Sequence, residues 1–520
     1  MGSARTKAIG AVLVLAAAGG VAAWQLLPLG EGGHGAIRVG TTDAVSALDP
    51  AGAYDAGSWA LYSNVFQSLL TIKPGSDTPV PDAASSCAFV GQKLTTYRCD
   101  LRSDLTFGDG GRPVTAEDVK FSFDRIKQIN SDQGPVPLFN TLESVKAEGR
   151  TVTFNLTAPD ATFPFKIATG AASIVDKDRY PAKALRADGK ADGTGPFLLT
   201  GYKAGKTAEL KPNPAYHGQA KPAKTAVTVR YYKDSAQLDQ AWRDHQIEVA
   251  HRDMPPTVLA GLNPGLKDTR YQTSGGTETR HIVFNVRPGS AVQKPAVRQA
   301  MAAALDRSKI AADVYKGTVT PLYSLVPAGI AGHSTPFFDT YPAPNGTVAR
   351  KLLSDAGIAT PVSVTLGVNT RGANLAEAEE IKRQLESTGL FQLNVKPVEV
   401  WGDFQKAYAA GEFDAYTIGW IADFPDADNF LAPLVGKDSS MNNGFSDKTV
   451  EDLITRTQSF QDRGEASNDF HELQRVVSQQ IPLLPIWQKK DYVLSREAVS
   501  GLQYLSDGTG VWRLWELDWL

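Results

Sequence analysis

Cysteine is almost absent: the 520-residue chain has 2, Cys87 and Cys99. Its 7 histidines are scattered, and none fall at HxxxH or HExxH spacing, which excludes the helix-borne zinc motif of metalloproteases. An excess of one charge is missing as well. Lys and Arg total 53 against 56 Asp and Glu, a net charge of −3, so there is no polycationic face for sequence-independent nucleic-acid binding. No GxSxG elbow, GxxxxGK(S/T) phosphate loop or GxGxxG turn occurs, and there is no internal repeat. These absences argue against an enzyme; a hydrolase with dispersed residues is the catalytic class left standing.

What is present points to an exported, multi-lobed α/β protein. Hydrophobic residues make up 42% of the chain and charged residues 21%, enough to bury a core and stay soluble. At ~100–200 residues per domain the length implies about three lobes. Arg5 and Lys7 precede an uncharged stretch from Ala8 to Gly30. Residues 1–30 therefore read as a signal peptide, with Val21-Ala22-Ala23 as a cleavage site, or as an uncleaved N-terminal membrane anchor. No cysteine lies nearby to carry a lipid, and no later run is long enough to span a bilayer. Residues 31–35 form a Gly-rich linker.

The segment from Cys87 to Cys99 reads as strand, turn at Gly91, strand. A disulfide across this hairpin suits an oxidising compartment; a metal pair or two free thiols are the alternatives, and no local His or Cys supplies further metal ligands. Helical periodicity runs over Ser58 to Leu70, Leu375 to Leu385 and Val450 to Gln480, and Thr115-Ala116-Glu117-Asp118 is a capping box opening a helix to Ile129. Strands are expected at Ile37 to Val39, Thr151 to Leu156, Val227 to Tyr232, Arg280 to Asn285, Val362 to Val368, Leu393 to Val400 and Phe413 to Trp420. Strands alternating with helices indicate α/β lobes.

A collinear set of segments resembles the family-5 solute-binding proteins of ABC importers, which include dipeptide- and oligopeptide-binding proteins. The segments are Leu48-Asp49-Pro50; Tyr97 to Arg102; Phe107-Gly108-Asp109-Gly110 with Pro113 to Val119; Gly193-Thr194-Gly195-Pro196-Phe197; Phe284-Asn285; Val297 to Ala300 with Leu305-Asp306-Arg307; and Gly419 to Asp426. One extra glycine in the Phe107 turn is the departure. The resemblance covers residues 36 to 520 and implies a two-lobed periplasmic-binding-protein-like fold (type II, cluster C) with an extra inserted α/β domain. It places lobe I at 36–66, 179–275 and 490–520, the inserted domain at 67–178, and lobe II at 276–489. The implied function is an extracytoplasmic receptor that captures di- or oligopeptides by lobe closure and delivers them to the permease and ATPase subunits of an ABC transporter. The receptor would be a monomer with no catalysis, cofactor or metal. Same-fold receptors for nickel chelates, haem, sugars or opines are the alternative, and an envelope peptide sensor or chaperone is another.

The resemblance also names ligand-binding candidates. Asp423 matches the aspartate that pairs with a peptide's α-ammonium group; a turn or cap aspartate is the other reading. Trp420 and Trp401 match pocket-lining positions, against ordinary core packing. His281 matches a pocket-facing aromatic position, against a structural histidine. Arg371 lies near, though offset from, the carboxylate-binding cation of dipeptide binders, and Thr417 replaces the arginine of some oligopeptide binders. The Gly40-to-Ala44 stretch is a candidate for main-chain pairing with ligand. Asp426 and Asp428 read as turn and surface residues.

Overall fold

Ile37–Thr41, with its alternating β-branched side chains, forms a buried strand that pairs in parallel with Val227–Tyr231 on one side and Val249–His251 on the other. A computed structural model describes residues 35–108, 110–437 and 439–520, so the signal or anchor segment and nearly all of the linker lie outside the described residues. The strand belongs to an 11-stranded sheet. From one edge the order is Phe391–Val398, Val362–Asn369, Ala415–Trp420, Arg270–Phe284, Leu483–Ser495, Val249–His251, Ile37–Thr41, Val227–Tyr231, Thr207–Pro212 and Phe197–Lys203, with Val319–Pro321 added to Leu483–Ser495. Among the described residues no helix is long and apolar enough to cross a membrane.

Two long antiparallel strands join the halves of this sheet. Arg270–Phe284 and Leu483–Ser495 run in register from Arg270 opposite Ser495 to Val283 opposite Leu483, interrupted between Gly275 and Thr279. Leu483, Leu484, Ile486 and Trp487 pack into one core with Ile282, Val283, Phe284 and the helices at Pro295–Ala304 and Asn374–Ser387. At the other end of the same strand Val493 packs with Ile37, Val39 and Trp59 into a separate core, the first core in chain order. At the interruption there is no space for a side chain on Gly276, because a Cβ there would lie 2.4 Å from the Lys489 carbonyl oxygen.

The 67–178 segment carries a four-stranded antiparallel sheet ordered Ala84–Phe89, Thr96–Leu101, Thr151–Leu156, Leu142–Glu148. Cys87 and Cys99 face each other across its first pair and form a disulfide. The helix Ala116–Ile129 lays Val119, Phe123 and Ile126 on this sheet, with the Phe123 ring 5.0 Å from Phe154. At its start the Asp118 carboxylate accepts from the Thr115 amide at 2.9 Å and the Thr115 hydroxyl at 2.6 Å. Asn130 ends it at φ +43°. The apolar interior of this segment is continuous with that of Ile37–Val65, so it is an extension of the first core.

One buried ion pair ties that extension down. Asp49 accepts from Arg125 on both oxygens, at 2.5 and 2.7 Å, and also from the amides of Ala51 and Arg186. Both side chains are nearly inaccessible to solvent.

Three expectations need correction. The helix expected over Ser58 to Leu70 occupies Ala56–Val65, and Leu70–Ile72 is a strand. Its end abuts the Gly193-Thr194-Gly195 turn, where a Cβ on Gly193 would meet the Val65 carbonyl at 2.2 Å. The periodicity over Val450 to Gln480 belongs to two helices, Lys448–Thr457 and Ser467–Gln480, separated by a turn that Asp462 caps through the Gly464 amide. The strand expected to reach Val400 stops at Val398, and Trp401–Ala410 is a helix closed by Gly411 at φ +78°.

Arg125→Ala leaves a buried carboxylate without its counter-charge and is expected to destabilise the fold by about 3–5 kcal/mol, read from denaturant unfolding.

Candidate functional site

A cavity of about 640 Å³ opens where the two halves meet, within the usual ~300–1,000 Å³ of small-ligand sites. Its wall draws on the loop after the first strand (Asp43, Ala44, Ser46, Tyr54), on the crossing strands (Glu278, Arg280, Trp487, Lys489) and on the segment Ile418 to Asp423. The helix Trp401–Ala410 contributes Trp401, Gln405 and Tyr408, spaced as one helical stripe.

Asp423 follows the Ala415–Trp420 strand and faces the first half of the molecule. Its Oδ2 accepts from the Tyr54 hydroxyl at 2.7 Å and from Asn429 Nδ2 at 2.8 Å, while the Asp423 amide donates to Asn429 Oδ1 at 2.8 Å. Oδ1 accepts no hydrogen bond from the described residues. Burial pushes the carboxyl up to about 6 even though Tyr54 and Asn429 favour its ionised form. Burial and the Asp423 charge together hold the Tyr54 hydroxyl well above the usual tyrosine range. The same Asn429 amide lies 3.4 Å from the Trp420 indole nitrogen, and the Tyr54 and Trp420 rings meet edge to face at 6.5 Å. One amide thus fixes both an anionic anchor and an aromatic wall.

Trp401 lines the cavity at its rim and is 39% exposed. Arg371 also lines the cavity. Its guanidinium donates to the Thr42 carbonyl at 2.7 Å and lies 3.8 Å from Asp43. Asp423, Trp420, Trp401 and Arg371 are therefore brought together. His281 is not: it is fully buried outside the cavity wall, with Nε2 2.9 Å from Thr279 Oγ1, and burial with the Arg280 charge drives it down to about 3. The cause is strand alternation, since Glu278 and Arg280 face the cavity and Thr279 and His281 the opposite side. Asp426 and Asp428 are also not surface residues. Asp426 is buried against Arg463 at 2.7 Å, and Asp428 is buried with Gln458 at 3.2 Å.

Several wall residues carried no local sequence signal. Arg252 and Asp253 are consecutive non-glycine residues at φ +65° and +50°. Asp253 accepts from Lys489 at 2.9 Å and from the Thr42 hydroxyl at 3.0 Å. Burial opposes its charge, but Lys489 and Arg371 outweigh it and hold the carboxyl well below the usual range. Lys489 also lies 3.2 Å from Glu278. Behind Arg280 the buried Glu377 accepts from Arg280 at 2.8 Å, Tyr315 at 2.9 Å and Trp487 at 2.5 Å. Residues separated by 62 to 236 positions make these pairs; only the positive-φ pair is local, and it follows no glycine or asparagine signal.

Such an arrangement can hold a small zwitterion: cations and anions face one space across a seam. Residues 78–442 match the bacterial extracellular solute-binding proteins, family 5 Middle, and the chain belongs to this family. It is similar to di/tripeptide-binding protein 2 of Pseudomonas aeruginosa, with 28% identity over 89% of this chain and 92% of that protein. Its fold is similar to that of the ABC transporter-associated periplasmic binding protein DppA from Helicobacter pylori, solved in complex with peptide STSA. The TM-score is 0.82 at 21% identity, covering 93% of this chain and 98% of the other. The Agrobacterium protein AgaA in complex with agropinic acid gives a TM-score of 0.81 at 20% identity, covering 94% and 99%. The fold is two-lobed, as these neighbours are, and its family consists of solute-binding receptors of the extracytoplasmic compartment.

A carboxyl whose folded value stands near 6, above its unfolded ~3.9, binds protons more readily in the folded chain between those pH values. Its contribution to stability is complete below ~pH 4 and is lost as pH rises through about 6. Asp423→Asn is expected to remove up to about 3 kcal/mol of that fall, read by denaturant unfolding of the ligand-free protein from pH 4 to 7.5.

Proposed function

We propose that the protein captures short peptides in this cleft by lobe closure and hands them to the permease of an ABC importer. The observation that carries the reading is Asp423, a carboxylate oriented by Tyr54 from one lobe and Asn429 from the other, with one oxygen free of donors among the described residues. A peptide α-ammonium group there would supply the cation that burial otherwise denies the carboxylate. Arg371, with its guanidinium partly exposed in the cavity wall, is the cation for the peptide's carboxylate. Trp420 and Trp401 form flat apolar walls that accept varied side chains.

In this reading lobe I comprises 36–66, 179–275 and 490–520, the insertion 67–178, and lobe II 276–489. The crossing strands are the hinge. The N-terminal segment exports the chain or stays as its anchor, and the receptor acts as a monomer.

Isothermal titration with di- and tripeptides, their N-acetylated forms and their C-terminal amides tests the assignment. Free peptides are expected to bind, and N-acetylation or Asp423→Asn to weaken binding at least tenfold. Amidation and Arg371→Ala should each weaken it without adding, because both remove one contact. Affinity should fall about tenfold per pH unit below about 6, where the proton competes with the ammonium group for Asp423. No binding from a broad peptide set would overturn the peptide assignment.

A further inference from the structure

The segment that carries Asp423 is shared between two interiors. Ala422 and Ala427 pack in the core built on Ile282–Trp487, as does the helix start at Phe430. Phe424, between them, packs in the other core, where its ring lies 5.5 Å from Phe165. Ala422, Phe424 and Ala427 are each 1% exposed. Phe424 does not line the cavity.

The polar contacts around the segment lie mainly on one side. Arg463 binds Asp426 at 2.7 and 3.0 Å, and Asp426 in turn accepts from the Asp428 amide at 2.8 Å. These partners all belong to the stretch 426–463 on the second lobe's side. On the first lobe's side, beyond Tyr54, this segment meets the seam through the Phe424 ring and the neighbouring Ala161 amide, which donates to the Gln458 carbonyl at 2.8 Å; elsewhere the seam is crossed by Arg371 to Thr42 and by Lys233 to Glu399. Opening the cleft therefore withdraws the ring of Phe424 from the first core, while the bracing by Arg463 travels with the segment.

We propose that Phe424 is a positioning residue for the ligand site: docking of its ring into the first lobe's core carries Asp423 to Tyr54 and latches the lobes shut. The inference rests on the peptide reading for its ligand and on the fold alone for its conformational part. Two terms oppose each other at adjacent residues. Burial of the ring favours closure, and sealing an unpaired carboxylate disfavours it. A ligand ammonium group cancels the second term, so closure becomes strongly favoured when the cleft is occupied. A ring that never touches ligand thereby sets the fraction of receptor competent to retain it.

The test uses the full chain and the variants Phe424→Ala and Phe424→Leu. Small-angle X-ray scattering of the ligand-free proteins reads closure, and titration with the tightest peptide found for the wild type reads affinity. Phe424→Ala is expected to increase the ligand-free radius of gyration and to weaken peptide binding on the order of tenfold. It should also shift the pH step in affinity from about 6 towards the ordinary carboxylate range, because Asp423 then meets water in the free state. Phe424→Leu should restore most of each property, since it keeps an apolar group in the first core. A folded Phe424→Ala protein with unchanged radius and unchanged affinity overturns the proposal. So does a loss of thermal stability with radius and affinity unchanged, which marks a permanent core residue. If the alanine variant does not fold, the leucine variant decides: a measurable part of both shifts supports the latch, and none overturns it. Should the wild type bind no peptide while Phe424→Ala still expands the free protein, the peptide reading fails and the latch stands.

Discussion

The pairing of Arg270–Phe284 with Leu483–Ser495 is the constraint on which the remaining architecture depends. Leu483–Ser495 is long enough to serve two interiors, and Arg270–Phe284 pairs with it along its length, so the backbone ladder that stabilises one half also fixes the position of the other. The ladder is interrupted between Gly275 and Thr279, where Gly276 sits too close to Lys489 for any side chain. Irregular pairing here, with a second register shift between Arg280 and His281, lets the strands bend while the hydrogen-bonded stretches around it stay intact. Lys489, Asp253 and Glu278 cluster beside the same point, so the joint lies within the cavity wall.

The electrostatics of the cleft follow from its burial. Lys489 is shared by Asp253 and Glu278, Arg280 is matched by Glu377, and Arg252 lies 3.0 Å from Asp43. Each charge has an opposite neighbour inside a poorly solvated space, as sequestered ions require. Asp423 stands apart. Its protein neighbours are a hydroxyl and an amide, which orient a carboxylate without neutralising it. A site of this kind is selective for a cation by default, because an uncharged occupant leaves the desolvation of Asp423 unrelieved.

Much of the fold was legible in the chain. Short-range chemistry announced the helix Ala116–Ile129 through Thr115 and Asp118, and the hairpin through Cys87, Gly91 and Cys99. β-branched alternation located Thr151–Leu156 to the residue. Errors fell where distant contacts overrule local pattern. The helix after Asp55 stops because a glycine turn from residues 193–195 occupies the space beyond Val65. Trp401–Ala410 was hidden because Val398 and Val400 continue a strand-like alternation up to its first turn. In the site, Asp423, Trp420, Trp401 and Arg371 were readable by resemblance. Tyr54, Arg252, Asp253 and Lys489 were not, because their partners are brought near only by the crossing strands. His281 takes the structural of its two readings, because a one-residue step along a strand reverses the face and family position alone does not report the face.

The guanidinium of Arg371 resting on the Thr42 carbonyl has a kinetic meaning. Thr42 lies just past the strand Ile37–Thr41 and its carbonyl already has an internal occupant, so a guest that took this acceptor would swap one set of partners for another. Exchange of this sort keeps the vacant receptor's polar groups satisfied and tempers how tightly any guest is held. It also supplies a ready substitute when the guest departs, a property suited to a carrier that must surrender its load.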